Sequence, residues 1–459
     1  MTTRPPRLSL TPATFRDTEA ERGRLRVPVV HGAPDGPGME LRFVRLKSLA
    51  SRPGAPLVFL TGGPGLSGIR SAQGRLFPMF DAARQHADVI LLDQRACVAD
   101  ELVPRPDHGV LSSGRALTRD DYVSVIKNSV CDGVQALRAA GIPVDALNTE
   151  ESADDVAMLV RQLYGENARM ALFGWSYGSH LAMSIIRRHP SLVEAAVLAA
   201  PEGPDHTFKR PLRVQEHLER LAQRSSCDVT GMIDRALHRL QREPARVTVR
   251  WEEGMEAVEL VLGRFELEWI LSEGVPDTRV MKALPASLSR MERGDFQVVG
   301  DDRLLRGAWR ALREELLSSV VRYAMDCASG ATAARRRLID AEAKATLLGN
   351  TIDFPCPDVC DALGCPDLGD EFRGPLHGDM PVLFITGTLD CRTPAENVAE
   401  LAPGFPSHRH LVVEDAGHSD LLLPGAVHEQ VAHFLATTEL LLLRVRAETP
   451  LVFDPPARM

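Results

Sequence analysis

The chain has 459 residues, a formal net charge of -9, and 44% hydrophobic against 25% charged residues. That balance suits a globular protein with one large core or two domains. The negative charge excludes the electrostatic footprint of a nucleic-acid binder and gives no pull toward anionic membranes, so neither is expected as a partner.

Residues 1–24 are polar, with little to bury, and read as a loose lead-in. They lack the apolar run of a signal peptide, and no later apolar stretch approaches a membrane span. The expected location is cytoplasmic. Residues 24–30 and 39–45 alternate apolar and polar side chains around the turn-rich segment 32–38, which predicts an antiparallel hairpin.

From Pro56 the pattern changes to short, unbroken apolar runs at 57–60, 87–92, 170–173, 195–199, 381–385 and 410–413. Such runs are what a parallel sheet covered on both faces requires. Helical patterns at 152–163, 181–188, 395–401 and 426–435 separate several of them, with Ser152 as a helix start. This alternation predicts an α/β fold, a mostly parallel central sheet with helices on both faces. It breaks between residues 205 and 377. There, helical patterns at 212–221, 232–240, 303–324 and 331–345 accompany a hairpin at 246–251 and 257–262. The expected organisation is therefore a core from 1–204 and 378–459, interrupted by a mainly helical cap at 205–377 that folds separately over the site.

The chain is organised around Gly174-Trp175-Ser176-Tyr177-Gly178, which lies between an apolar strand and a helix. A serine at a sharp strand-to-helix turn needs clearance two residues away on either side, which the glycines supply. The helix after it turns its N-terminus toward developing negative charge. A serine hydroxyl becomes nucleophilic when a base takes its proton, and a histidine base is oriented by a carboxylate. Asp390 ends one apolar strand and His418 follows the next, giving the order Ser, acid, His that accompanies such a turn. The oxyanion of the reaction needs two backbone N–H donors. The Tyr177 amide is one, and Gly63, in Thr61-Gly62-Gly63-Pro64-Gly65 after an earlier strand, is the preferred second. Asp93-Gln94-Arg95 reads as a buried Asp–Arg pair bracing the site loops. Glu202, at the end of the strand beside Ser176, is the preferred partner for a substrate ammonium; Asp326 is another acid that could serve.

The eight cysteines do not make a disulfide scaffold in a chain of this length. Cys356, Cys360 and Cys365 cluster, but their spacing, with only His377 downstream, is poor for zinc. Reduced thiols or one local disulfide are expected. The chemistry calls for no metal and no cofactor.

Taken together, Gly62-Gly-Pro-Gly65, Asp93-Gln-Arg95, Gly174-Trp-Ser-Tyr-Gly178, Gly387-Thr-Leu-Asp390 with Arg392-Thr-Pro394, and Gly417-His418 resemble the proline iminopeptidase and tripeptidyl aminopeptidase group of α/β-hydrolases. The resemblance runs the length of the chain. It implies an α/β-hydrolase fold with an inserted cap, and a serine peptidase that forms an acyl-enzyme and releases proline or short peptides from a free N-terminus. It also implies the Ser176, Asp390, His418 triad. Thr61 departs from the histidine usual before Gly-Gly-Pro-Gly in proline iminopeptidases; Ala96 and Cys391 stand where glycine is common. The same triad serves a small-molecule esterase, lactonase or amidase, which remains the alternative. Either way the partner is a small peptide, ester or amide.

Overall fold

The computed structural model describes residues 7–104, 114–315 and 319–454. In chain order its strands are β1 (Leu8–Phe15), β2 (Thr18–Pro28), β3 (Gly38–Leu46), β4 (Leu57–Leu60), β5 (Val89–Asp93), β6 (Met170–Trp175), β7 (Val193–Ala199), β8 (Ala245–Val249), β9 (Val258–Leu262), β10 (Val382–Gly387), β11 (His408–Glu414) and β12 (Arg444–Arg446). Ten form one sheet in the order β1-β2-β3-β5-β4-β6-β7-β10-β11-β12, while β8 and β9 pair as a separate ribbon. β1 to β3 form an antiparallel meander that joins β5 antiparallel, and the strands from β5 to β12 run parallel.

The apolar runs explain this arrangement. Alternate residues of each central strand feed opposite faces. Val58, Leu60, Leu172, Leu198 and Phe384 enter one core, and Leu57, Phe59, Phe173, Val197 and Ile385 the other. A strand buried on both faces has no polar positions to alternate with, so it reads as a continuous apolar run. The chain leaves β4 for β5 on one side and then returns for β6 on the other. β4 is therefore a switch point, and the crevice outside its carboxyl end is where open sheets of this kind bind ligands.

Three expectations need correction. The lead-in is not loose where it is described: residues 8–15 pair with 18–25 as an edge hairpin. β1 is mostly exposed or half-buried, so a backbone ladder rather than an apolar pattern holds it; residues 1–6 lie outside the described part. The helix expected from Ser152 begins earlier, as Thr149–Tyr164, because the Asn148 side chain accepts from the Glu151 amide at 2.9 Å and caps it. Residues between β7 and β10 contribute nothing to the main sheet, but they do not form a core of their own. Ile233, Trp309 and Val321 belong to the same apolar cluster as Leu60 and Leu198.

Helices Arg119–Ala139, Arg264–Gly274 and Thr278–Glu292 were not legible as patterns. The helical stretch expected at 303–324 divides into Arg303–Arg310, a wider turn at Ala311–Glu315, and Val320–Ser329, with 316–318 outside the described residues. Among the described residues no helix is long and apolar enough to cross a membrane.

Candidate active site

Ser176 sits between β6 and the helix Tyr177–Arg188 with φ 56° and ψ -125°, a positive φ that a non-glycine residue adopts only when its surroundings impose it. The surroundings do so by close packing. A Cβ on Gly174 would strike the Gly178 carbonyl, and one on Gly178 would strike that of Leu60 at the end of β4. The Ser176 amide is held by the Ala199 carbonyl at 3.0 Å, and the Ser179 hydroxyl donates to the Ser176 carbonyl at 2.6 Å.

Two loops bring the partners to this serine. His418, after β11, places Nε2 3.1 Å from Ser176 Oγ and Nδ1 2.8 Å from Asp390 Oδ2. An ionised carboxylate only accepts hydrogen bonds, so Nδ1 carries the proton and Nε2 is left to accept from the serine. Asp390 is saturated with donors. The amides of Arg392 and Thr393 reach Oδ1 at 2.9 Å each, and the Thr393 hydroxyl reaches Oδ2 at 2.7 Å. Burial pushes the Asp390 carboxyl up, but the charge of His418 and these hydrogen bonds outweigh it and hold the carboxyl below the ordinary aspartate range. The insertion also positions the base, since the His418 amide donates to the Pro276 carbonyl at 3.0 Å. Residues 242 apart in sequence therefore meet in one hydrogen-bonded chain.

The glycine loop after β4 faces the same atoms. A Cβ on Gly62 would lie 3.1 Å from that of Ser176, and Gly63 lines the cavity into which Ser176 opens. Gly63 has φ +119°, a region that favours glycine. Tyr177 is the first residue of its helix, where an amide has no acceptor within the helix. Gln94 fixes this loop from β5 by donating from Nε2 to the Thr61 carbonyl at 3.0 Å.

The brace around Asp93-Gln94-Arg95 exists with other partners than expected. Arg95 is buried and makes a two-pronged pair with Asp155, Nε to Oδ2 at 2.8 Å and Nη2 to Oδ1 at 2.7 Å. Asp93 instead accepts from the Ser67 hydroxyl at 2.6 Å and the Ile69 amide at 3.2 Å. Asp93 ends β5 while Arg95 opens the helix Arg95–Asp100, so the change of backbone between them sends the two side chains to different loops. Replacing Arg95 with methionine should lower the unfolding free energy by about 3 kcal/mol, because buried Asp155 loses its guanidinium and keeps the His31 ring nitrogen at 2.8 Å. Urea titration reads this directly; a change under ~1 kcal/mol would contradict the brace.

Glu202 lines the cavity, but the structure gives it a counter-ion: Lys209 Nζ lies 2.8 Å from Oε2. Burial raises its carboxyl; the charges of Lys209 and His180 outweigh burial and bring it below the ordinary range. Two other acids on the cavity wall are less compensated. Asp326 and Asp353 are each pushed up to about 7, first by burial, against the pull of Arg322 on Asp326 and of Lys209 on Asp353. Lys209, Arg322, Asp353 and Arg392 were missed in the sequence. Arg322 and Asp326 stand one helical turn apart, a spacing that could have marked a shared face.

The cysteine cluster resolves differently from the sequence expectation. Cys360 is bonded to Cys327, on the helix Val320–Ser329, rather than to Cys356 or Cys365. Cys356 remains a thiol, buried 3.8 Å from the Cys327 sulfur.

This geometry has counterparts. Residues 55–222 match the family described as alpha/beta hydrolase fold. With the sheet order and the serine turn, that match gives the chain an α/β-hydrolase fold. Residues 327–441, which carry Asp390 and His418, match the family described as TAP-like protein. No curated protein matches the sequence. Among solved structures, the chain is similar to a thermophilic esterase from Thermogutta terrifontis at 17% identity and TM-score 0.37, covering 90% of this chain and 98% of that one. It is similar to an N-acyl homoserine lactone degrading enzyme, Est816, at 17% identity and TM-score 0.35, covering 86% and 96%. It is also similar to the epoxide hydrolase CorEH at 13% identity and TM-score 0.40, covering 94% and 100%. Likenesses this distant carry no information about substrate.

Proposed function

We propose that this protein is a serine peptidase that removes N-terminal residues from short peptides. The observation that carries the reading is the hydrogen-bonded chain from Ser176 through His418 to Asp390, opening into a cavity walled by the acids Asp326 and Asp353. The TAP-like match over 327–441 and the resemblance of the motifs to the tripeptidyl aminopeptidase group support a peptidase over other uses of the same triad.

In the reaction, His418 Nε2 takes the proton of Ser176 as Oγ adds to the scissile carbonyl. The amides of Tyr177 and Gly63 receive the oxyanion. His418 then returns the proton to the departing amine, and a water molecule activated by the same imidazole hydrolyses the acyl-enzyme. Asp390 holds the imidazole in the right tautomer and balances its charge. Glu202, already paired with Lys209, does not receive the substrate ammonium; Asp326 and Asp353 do. The insertion acts as a cap that limits substrate length.

The test is a substrate panel. Aminoacyl or tripeptidyl naphthylamides should be cleaved and their N-acetylated forms should not. Turnover confined to p-nitrophenyl esters would assign the site to small-molecule ester chemistry instead. A pH profile tests the acids. Carboxyls raised to about 7 are neutral below that pH and charged above it. The preference for free over N-acetylated substrates should therefore grow about five- to tenfold from pH 6 to 7.5, where the substrate amine is still largely protonated. Because it is a ratio, effects common to both substrates cancel. A flat ratio would remove Asp326 and Asp353 from the ammonium site.

A further inference from the structure

We propose that Arg322, with Arg392 beside it, binds a carboxylate of the substrate, so that the preferred substrate is a short peptide whose free carboxylate reaches the cavity. The inference rests on the peptidase reading and adds to it the second charged group the site selects.

Arg322 lies on the helix Val320–Ser329, whose residues Val320, Val321, Tyr323, Ala324 and Met325 are at most 1% exposed. Its side chain nevertheless keeps 41% of its surface accessible. Arg322 lines the cavity together with Ser176. Among the described residues its guanidinium has no hydrogen bond; its nearest carboxylate, Asp326, is 3.7 Å away, beyond hydrogen-bonding distance. A planar guanidinium with free donors matches a carboxylate in shape and charge.

The neighbouring charges favour the same ligand. Lys209 is neutralised by Glu202, and Arg392 by Glu273 at 2.8 Å. Arg392 is close enough to Arg322 for the two positive charges to repel, and an anion between them relieves that repulsion. Arg392 also follows Asp390 by two residues and donates its amide to that carboxylate, so the anion site is continuous with the catalytic loop. A substrate with only an ammonium would satisfy the cavity acids and leave the Arg322 donors without an acceptor. A zwitterionic short peptide satisfies both sets.

The experiment measures protection of Ser176 from fluorophosphonate labelling by di-, tri- and tetra-alanine, each as the free acid and as the C-terminal amide. For at least one length the acid should protect at a concentration at least ~10-fold lower than the amide, the scale of a charge-assisted hydrogen bond. Arg322→Met should bring acid and amide within about twofold. Arg322→Lys, which keeps the charge but not the fork, should retain part of the difference and so separate lost charge from lost fold. Equal protection by acid and amide at every length, protection by neither, or a difference that survives Arg322→Met would overturn the proposal. Cleavage of the same peptides is scored separately. Selective protection without cleavage would retain the carboxylate site and sink the peptidase reading.

Discussion

Replacing Ser176 with alanine is expected to lower kcat by on the order of 10^6-fold while leaving the fold intact. The expectation comes from geometry. Ser176 Oγ is the group that His418 Nε2 meets at 3.1 Å, at a turn whose glycines admit no other shape. Alanine carries the same Cβ, so the strained backbone at φ 56° is met by the same packing and stability should change little. His418→Ala should cost about as much as Ser176→Ala, and the double variant no more than either alone, because nucleophile and base act as one unit. Single-turnover kinetics on a cleaved naphthylamide would check all three. A Ser176→Ala protein with even a tenth of the parent activity would move the nucleophile elsewhere.

Asp390→Asn is expected to lower kcat by about 10^4-fold with little change in KM. Asp390 receives four hydrogen bonds, from the amides of Arg392 and Thr393, the Thr393 hydroxyl and His418. An asparagine amide must set its NH2 against either two backbone N–H groups or the Thr393 and His418 donors. Turned toward the imidazole, the NH2 donates to Nδ1 and favours the tautomer with hydrogen on Nε2, which cannot take the serine proton. Steady-state kinetics beside a thermal unfolding curve separates this from misfolding. A loss of less than tenfold in kcat would mean that another group orients His418.

Much of what the fold brings together around Ser176 is legible in the sequence. Doubly covered strands have to be written as unbroken apolar runs, and the runs at 57–60 and 170–173 correspond closely to β4 and β6. Gly174 and Gly178 were recognisable because a serine turn of this shape admits nothing larger there. Asp390 and His418 were recognisable because each ends a strand in the required order. What escaped the sequence depends on pairing across the chain. β1 is held by its backbone ladder, not by an apolar face. Arg95 looked like a partner for Asp93 but reaches Asp155, sixty residues away. The pairing of Glu202 with Lys209, seven residues on across a turn, carries no periodic signal. Nor does the disulfide from Cys360 to Cys327, which crosses 33 residues. Arg322 was hidden for the opposite reason: a charged residue in a helical pattern reads as a solvated face, and only the fold turns that face toward the serine.

The most direct measurement of the central claim is the rate and location of labelling by a fluorophosphonate probe, followed by intact-mass and peptide mapping. One adduct on Ser176, lost in His418→Ala, is the expected result. An adduct elsewhere, none at all, or labelling of Ser176 at the parental rate without His418 would contradict the account.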